Sequence, residues 1–335
     1  MDLRQLSALI AVGDEGSFSR AAEALDTVQS NISAHVKRLE GELGTSLVDR
    51  RSLKLTEAGR LVASRARRAF GELDALVSDV LALRHDIAGT VRIGVIGTTS
   101  RWLVPQLLEL TPDRFPALRL VFLESTTIAL DVQLATGQID LAVLNLTEGA
   151  ADLLLTPLFE EDLVLVTSID HPLANAAEIT LAALDGVPIL LPYRGTALRD
   201  ELERATAPLG ITLVGRAEVD GMRLIASLTL DGYGPAILPA TAIPRHLADR
   251  CCIVRVHDLP PRVVGVAQRA RTIPSAPTRA VLDLLTEIVS DPERTPAGLT
   301  AVTPDRSGRS RVGQQGPAVI SAPAGGDRAR TGGDR

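Results

Sequence analysis

Aromatic side chains are nearly missing from this chain. They make up 2% of 335 residues, with one Trp, two Tyr and five Phe. Hydrophobic residues still reach 45%, so any core must be aliphatic, built from Leu, Val, Ile and Ala. Cysteine is equally scarce: Cys251 and Cys252 are the only two, and they are adjacent. Disulfide geometry is hard to reach across one peptide bond, and two thiols make a poor disulfide framework or zinc site. A redox switch is the functional alternative, but the chain offers no distant thiol to resolve it. The five histidines, His35, His85, His171, His246 and His257, are scattered without metal-ligand spacing. No Walker, HExxH or GxSxG motif occurs, and Gly232-Tyr233-Gly234-Pro235 lacks dinucleotide-site spacing and reads as a tight turn. No catalytic residue, metal or cofactor is therefore expected. No apolar run reaches the roughly 18 residues that would suggest a membrane span. The N-terminus opens on helical periodicity, not on a basic-then-apolar export signal, which predicts a cytoplasmic protein.

What is present is concentrated at the start. Leu3, Leu6, Leu9, Ile10 and Val12 have helical spacing. Ser17 is a suitable N-cap for a short helix over Phe18–Leu25, whose small Ala21 and Ala22 suit a close helix crossing. Asp26 and Thr27 supply turn chemistry. A further helix over Gln29–Leu43 has an apolar face of Ile32, Val36, Leu39 and Leu43. Its other face carries Gln29, Ser30, Asn31, Ser33, His35, Lys37 and Arg38. Gly44 stops it. Residues 47–55 alternate like a hairpin, with Arg50, Arg51 and Lys54 projecting, and Thr56 caps the next helix.

Gln and Asn pair with adenine edges, while Ser, Lys and Arg reach phosphates or guanine. Between Gln29 and Arg68, nine Lys/Arg stand against four Asp/Glu, although the whole chain carries a net charge of −6. Local charge governs phosphate contact. A polar helix beside a cationic hairpin is the shape that enters a DNA major groove. A small helical domain with a solvated charged face is the plainer reading, and the full order of capped elements favours DNA binding over it.

At this point the chain resembles the LysR-type transcriptional regulators. The resemblance is carried by Gly16-Ser17-Phe18-Ser19-Arg20-Ala21-Ala22, Leu25, Gln29-Ser30-Asn31-Ile32-Ser33, Leu39-Glu40, Leu43-Gly44, Leu47, Asp49-Arg50 and Leu55-Thr56-Glu57-Ala58-Gly59. It extends to about residue 290. Two positions depart from the family pattern. Val48 stands where Phe is usual and should cost packing under the wing, and Ser30 stands where Pro is frequent. The resemblance implies an α/β protein with an N-terminal all-α winged helix–turn–helix, a long linker helix, and a two-lobed, periplasmic-binding-protein-like (Rossmann-like) effector domain. It assigns DNA contact to Ser17, Arg20, Gln29, Ser30, Asn31, Ser33, Lys37, Arg38, Arg50, Arg51, Lys54 and Thr56. The implied partners are double-stranded operator DNA, a small-molecule effector, further copies of the chain as a homodimer or homotetramer, and RNA polymerase.

The expected domains are 1–58 for DNA binding, 59–88 for the linker helix, 91–290 for the effector and 291–335 as a tail. Residues 57–86 contain no Pro and keep an apolar stripe, which predicts a rod of about 45 Å that Gly89 terminates. The stripe needs a partner, and the same helix of a second chain, antiparallel as in the family, is preferred to packing on its own effector domain. From Val91 strands alternate with helices: strands over 91–96, 118–123, 139–144, 163–167, 187–191, 213–219, 236–238, 253–256 and 263–267, and a last helix over 276–289. This pattern argues a parallel α/β sheet. Lobe one is expected at 91–162 and 268–290 and lobe two at 163–267, with crossings near 162 and 267.

In such sheets a ligand sits beyond the carboxyl ends of the strands. Those ends carry Thr98, Thr99, Ser100, Thr126, Thr127 and Asn145 on lobe one, and Tyr193, Arg194 and Thr196 on lobe two. Thr98–Ser100 open a helix, which suits an anionic, carboxylate-bearing effector, although Ser and Thr cap helices everywhere. Residues 291–335 are rich in Pro, Gly, Ser, Arg and Ala and should stay disordered. A small-molecule receptor whose N-terminal helices only dimerise remains the alternative from another class, and an enzyme has no motif behind it. The expected function is an effector-controlled, sequence-specific regulator of nearby genes.

Overall fold

The computed structural model describes residues 1–84, 86–146 and 152–302. It opens with three short helices, α1 (Leu3–Glu15), α2 (Phe18–Ala24) and α3 (Gln29–Leu43). Asp2 and Gln5 form a reciprocal capping box at the start of α1, and Ser17 caps α2. Gly44 ends α3 at φ 66°, a left-handed conformation that costs glycine little. Ala8, Leu9, Val12, Ala21, Ile32, Val36 and Leu39 bury together with Leu47 and Val48 into one aliphatic core. Val48 is 1% exposed, so the smaller side chain still seats under the hairpin.

The long helix α4 (Glu57–Ala82) starts at Thr56, whose hydroxyl accepts from Gly59 N. Gly59 is required there, because a Cβ would lie 2.0 Å from the Leu47 carbonyl oxygen. The helix spans 26 residues and stops at Ala82, short of the sequence expectation; Gly89 instead lies inside the following strand. At 1.5 Å per residue its length is about 39 Å.

The first lobe contains β1 (Ala88–Val95), α5 (Gly97–Arg114), β2 (Ala117–Glu124), α6 (Thr127–Ala135), β3 (Leu141–Asn145) and β4 (Leu153–Glu161). The second contains β5 (Leu163–Ser168), β6 (Glu178–Ile179), β7 (Pro188–Pro192), α7 (Ala197–Thr206), β8 (Val214–Val219), α8 (Met222–Leu230), β9 (Ala236–Pro239) and β10 (Cys251–Val256). The chain then returns to the first lobe with β11 (Arg262–Arg269), α9 (Ala276–Ser290) and β12 (Leu299–Ala301). Lobe one is a six-stranded sheet in the order β12-β4-β11-β3-β1-β2. Its core is aliphatic apart from Phe159, which is fully buried against Trp102. Lobe two holds a four-stranded sheet, β6-β10-β5-β9, and a β7–β8 pair.

Three expectations are corrected. The sheets are mixed rather than parallel: β1 runs parallel to β2 and β3, while β11 is antiparallel to β3 and β4, and β5 is antiparallel to β9 and β10. The second crossing lies between β10 and β11, not near 267, because all of β11 pairs in the lobe-one sheet. Residues 262–267 therefore leave lobe two; an apolar strand reads alike in either sheet. Finally, order continues past 291. Thr295 Oγ1 donates to the Ile288, Val289 and Asp291 carbonyls, and Leu299–Ala301 pair antiparallel with β4. The Pro and Gly content of this stretch hid three residues that complete a sheet edge. Residues 303–335 lie outside the described residues.

Candidate nucleic-acid interface and interlobe cleft

Burial of Ile32, Val36 and Leu39 fixes the rotation of α3, and that rotation turns Gln29, Ser30, Asn31, Lys37 and Arg38 to solvent. Ser33 is half-buried beside them. The first turn of α3 is braced from both sides. Ser19 Oγ donates to Gln29 Oε1 at 3.0 Å, and Asn31 Nδ2 donates to Thr27 Oγ1 at 3.1 Å. Bracing of this kind holds the amides before any base is met. Arg20 bonds the Glu15 carbonyl and lies 3.9 Å from its carboxylate, so its charge is partly occupied within the protein. Ser17 and Thr56 serve as helix caps, at 3.4 Å from Arg20 N and 3.0 Å from Gly59 N.

The hairpin is a single β-bridge, Val48 to Leu55. A half-buried acid supports it: Glu40 Oε1 accepts from Leu47 N at 2.9 Å and Val48 N at 3.3 Å, and Oε2 lies 3.3 Å from Arg50 Nη2. Glu40 belongs to α3, so it ties the wing to the recognition helix. Nothing local in the sequence marks this role of Glu40, because the amides it holds arrive seven and eight residues later. At the tip, Asp49 accepts from the Arg51 and Ser52 amides, which hold its carboxyl below the usual range. That turn leaves Arg50, Arg51 and Lys54 exposed together. The structure therefore exposes the polar face of α3 and three cationic side chains on two elements that Glu40 joins.

The lobe cleft is arranged differently from the sequence expectation. Thr98 and Thr99 are buried, and Thr98 Oγ1 accepts from Arg262 Nη2 at 2.7 Å. Ser100 Oγ lies 2.6 Å from Glu124 Oε2 and 3.0 Å from the Gly97 carbonyl. A carboxylate of the protein itself thus stands at the N-terminus of α5, where an external anion was expected. Glu124 in turn pairs with Arg223 of α8, a bond from one lobe to the other. Thr126 caps α6 and Thr196 caps α7, each at 3.4 Å. Thr127 is buried, Asn145 Oδ1 is buried with no hydrogen-bond partner among the described residues, and Tyr193 is exposed. Arg194 lies 3.5 Å from Glu218 and 3.7 Å from Glu203. Glu201 of α7 was not anticipated; burial raises its pKa, while Arg262 and Arg204 pull it the other way.

Cys251 and Cys252 lie on β10 as free thiols. Burial, and then Cys252, push the Cys251 thiol up, and its Sγ lies 3.7 Å from the Ala248 carbonyl. Among the described residues no group of His, Cys, Asp and Glu could hold a metal, and no helix is long and apolar enough to cross a membrane.

Comparison with known proteins matches both halves of this architecture. The model of the lysR-family bacterial regulatory helix-turn-helix protein matches residues 3–60, and that of the LysR substrate binding domain matches residues 84–290. A "probable hydrogen peroxide-inducible genes activator" of Streptomyces viridosporus is 35% identical over 246 residues, spanning 72% of this chain and 78% of that protein. The DNA-binding transcriptional dual regulator OxyR of Escherichia coli (strain K12) is 28% identical over 293 residues, 86% of this chain and 95% of that one. Among solved structures, a cysteine variant of full-length OxyR from Pseudomonas aeruginosa superposes with a TM-score of 0.72 at 25% identity, covering 91% of this chain and 99% of that one.

Proposed function

Because this chain belongs to the LysR family of DNA-binding transcriptional regulators with an effector-binding domain, we propose that α3 reads operator bases while the wing holds the backbone. Gln29, Ser30, Asn31 and Ser33 approach base edges or nearby phosphates, and Lys37, Arg38, Arg50, Arg51 and Lys54 take phosphates. Ser17, Arg20 and Thr56 set the geometry of the head and reach the backbone at its margin. The observation that carries this reading is the shared exposure of the α3 polar face and the Arg50–Lys54 tip, locked together through Glu40. A head of this kind works in the cytoplasm, where the chromosome is, and it controls nearby genes by helping or hindering RNA polymerase.

Two copies are needed to read paired half-sites. The exposed stripe of Leu61, Leu73, Leu76, Val77 and Val80 along α4, continued by Leu83 at its C-cap, supports a homodimer, or a tetramer built as a dimer of dimers, closed through that helix. The effector acts between the lobes, near Thr98, Thr99, Ser100, Thr126, Thr127, Asn145, Tyr193, Arg194 and Thr196, and changes the angle that the Glu124–Arg223 pair now holds.

Hydrogen peroxide is the signal named for the relatives. Peroxide attacks thiolates, and the chain's two cysteines are adjacent, with Cys251 buried and its ionisation suppressed. Those thiols favour control by a bound molecule over control by thiol oxidation. The test of the DNA reading is the salt dependence of binding. Arg50→Ala should weaken binding to all duplexes and lower the slope of log K against log salt by about one. An unchanged slope removes the wing from the interface.

A further inference from the structure

One large cavity bordered by the described residues is lined by none of the strand-end residues expected to hold the effector. It measures about 1170 Å3 and lies between the outer face of α5, α8, the 240–248 segment and the 293–298 segment. Ile243, Leu247, Ile253 and Pro296 give it apolar walls, and Trp102 and Arg101 of α5 border it. Its volume suits a small organic ligand with room to spare.

Charge sorts the polar groups around it. Arg223 is paired with Glu124, and Arg294 with Glu109 and Asp291. His246 and Glu293 sit exposed at the edge. Arg101 differs. Its Nη1 donates to the Ala242 carbonyl at 3.0 Å, and among the described residues no carboxylate forms an ion pair with its guanidinium. Burial, and then the neighbouring Arg223, press its pKa down, while Glu124, already paired with Arg223, opposes them. A half-buried guanidinium with spare donors beside an apolar wall lacks one thing, an anion.

We propose that this cavity binds an organic carboxylate with an apolar body, its carboxylate on Arg101 and its chain or ring against Ile243, Leu247, Ile253 and Pro296. The site shares no lining residue with the strand-end set from Thr98 to Thr196, and it adjoins the Glu124–Arg223 pair through Arg223. Lobe one supplies α5 and the 293–298 segment, and lobe two supplies α8 and the β5–β10 sheet. A bound molecule therefore touches both lobes and sets their angle.

Trp102 is the chain's only tryptophan and borders this cavity, so its emission responds to changes there. The full-length protein is titrated with octanoate and with the neutral octanamide, and binding is measured in parallel by calorimetry. Octanoate should change the emission saturably and bind more tightly than octanamide. Arg101→Gln keeps a donor for Ala242 but should weaken octanoate about tenfold and leave octanamide unchanged. Ser227→Phe, an exposed position on the cavity wall, should remove both ligands while the melting temperature stays near that of the parent. No saturable octanoate binding, equal affinity for the two probes, or full octanoate affinity in the Arg101 variant would overturn the proposal. So would octanoate binding that fades as protein concentration rises, because a second copy would then own the cavity. No DNA is present in the titration, so it fails or succeeds independently of the DNA reading.

Discussion

Arg262 donates to Glu161 Oε2 from Nε at 2.9 Å and from Nη2 at 2.5 Å, at the point where the chain crosses between the lobes. Glu161 is fully buried and Arg262 nearly so. Each also reaches one lobe: Glu161 Oε1 accepts from Thr241 N at 2.9 Å and Oγ1 at 2.6 Å, and Arg262 Nη2 donates to Thr98 at 2.7 Å. The pair is thus the axle of the two-lobed domain. Removing one partner strands a buried charge, which costs about 3–5 kcal/mol. Arg262→Ala and Glu161→Ala should each lower stability by that much in urea titrations. Arg262→Met combined with Glu161→Leu should lose clearly less than the two single losses added. Additive losses would mean that the two groups act separately.

Asp140 gives a pH dependence of predictable sign. It stands before β3, with Oδ2 accepting from Arg92 N at 2.8 Å. Burial raises its pKa above the ordinary carboxylate range, opposed by Arg92 and Arg269 and assisted by Asp74 on α4. The folded state therefore binds a proton that the unfolded state has released. Its contribution is greatest at acid pH and is lost as pH rises through the folded-state pKa. Asp140→Asn keeps an acceptor for Arg92 N and carries no charge. The variant's stability relative to the parent should be higher at about pH 7 than at about pH 4. A pH-independent difference would remove burial as the cause.

The linker stripe makes a prediction about assembly. Leu76 is 61% exposed and Val80 53% in the single chain. Isolated apolar surface of that extent along a helix calls for a partner. Leu76→Lys with Val80→Lys should convert the assembly to monomers in sedimentation equilibrium, leaving the circular dichroism of each chain unchanged. An unaltered mass would move the dimer contact elsewhere.

Much of the reading head was legible because short-range rules decide it. Ser17, Gly44 and Thr56 act on their own turns, and the 3.6-residue period places Ile32, Val36 and Leu39 inside without any distant partner. The effector half was harder. Leu153–Glu161 is a strand whose partners lie more than a hundred residues away, so nothing local marked it. The same distance concealed Arg262, which meets Glu161 and Thr98 only after the chain has passed through lobe two. The expectation at Thr98–Ser100 saw the helix start correctly but not Glu124, which arrives from the end of β2. Capping chemistry is local; what faces a cap is tertiary.

The central claim is that the first sixty residues recognise particular DNA and the rest directs them. Equilibrium binding of the full-length protein to the DNA upstream of its own coding region, against a shuffled duplex of the same length and composition at fixed moderate salt, tests it most directly. The account predicts at least about a thousandfold preference for the upstream fragment, the lower end of specific recognition, and a marked loss of that preference in Asn31→Ala. Equal affinity for both duplexes, with the wing arginines intact, would contradict it.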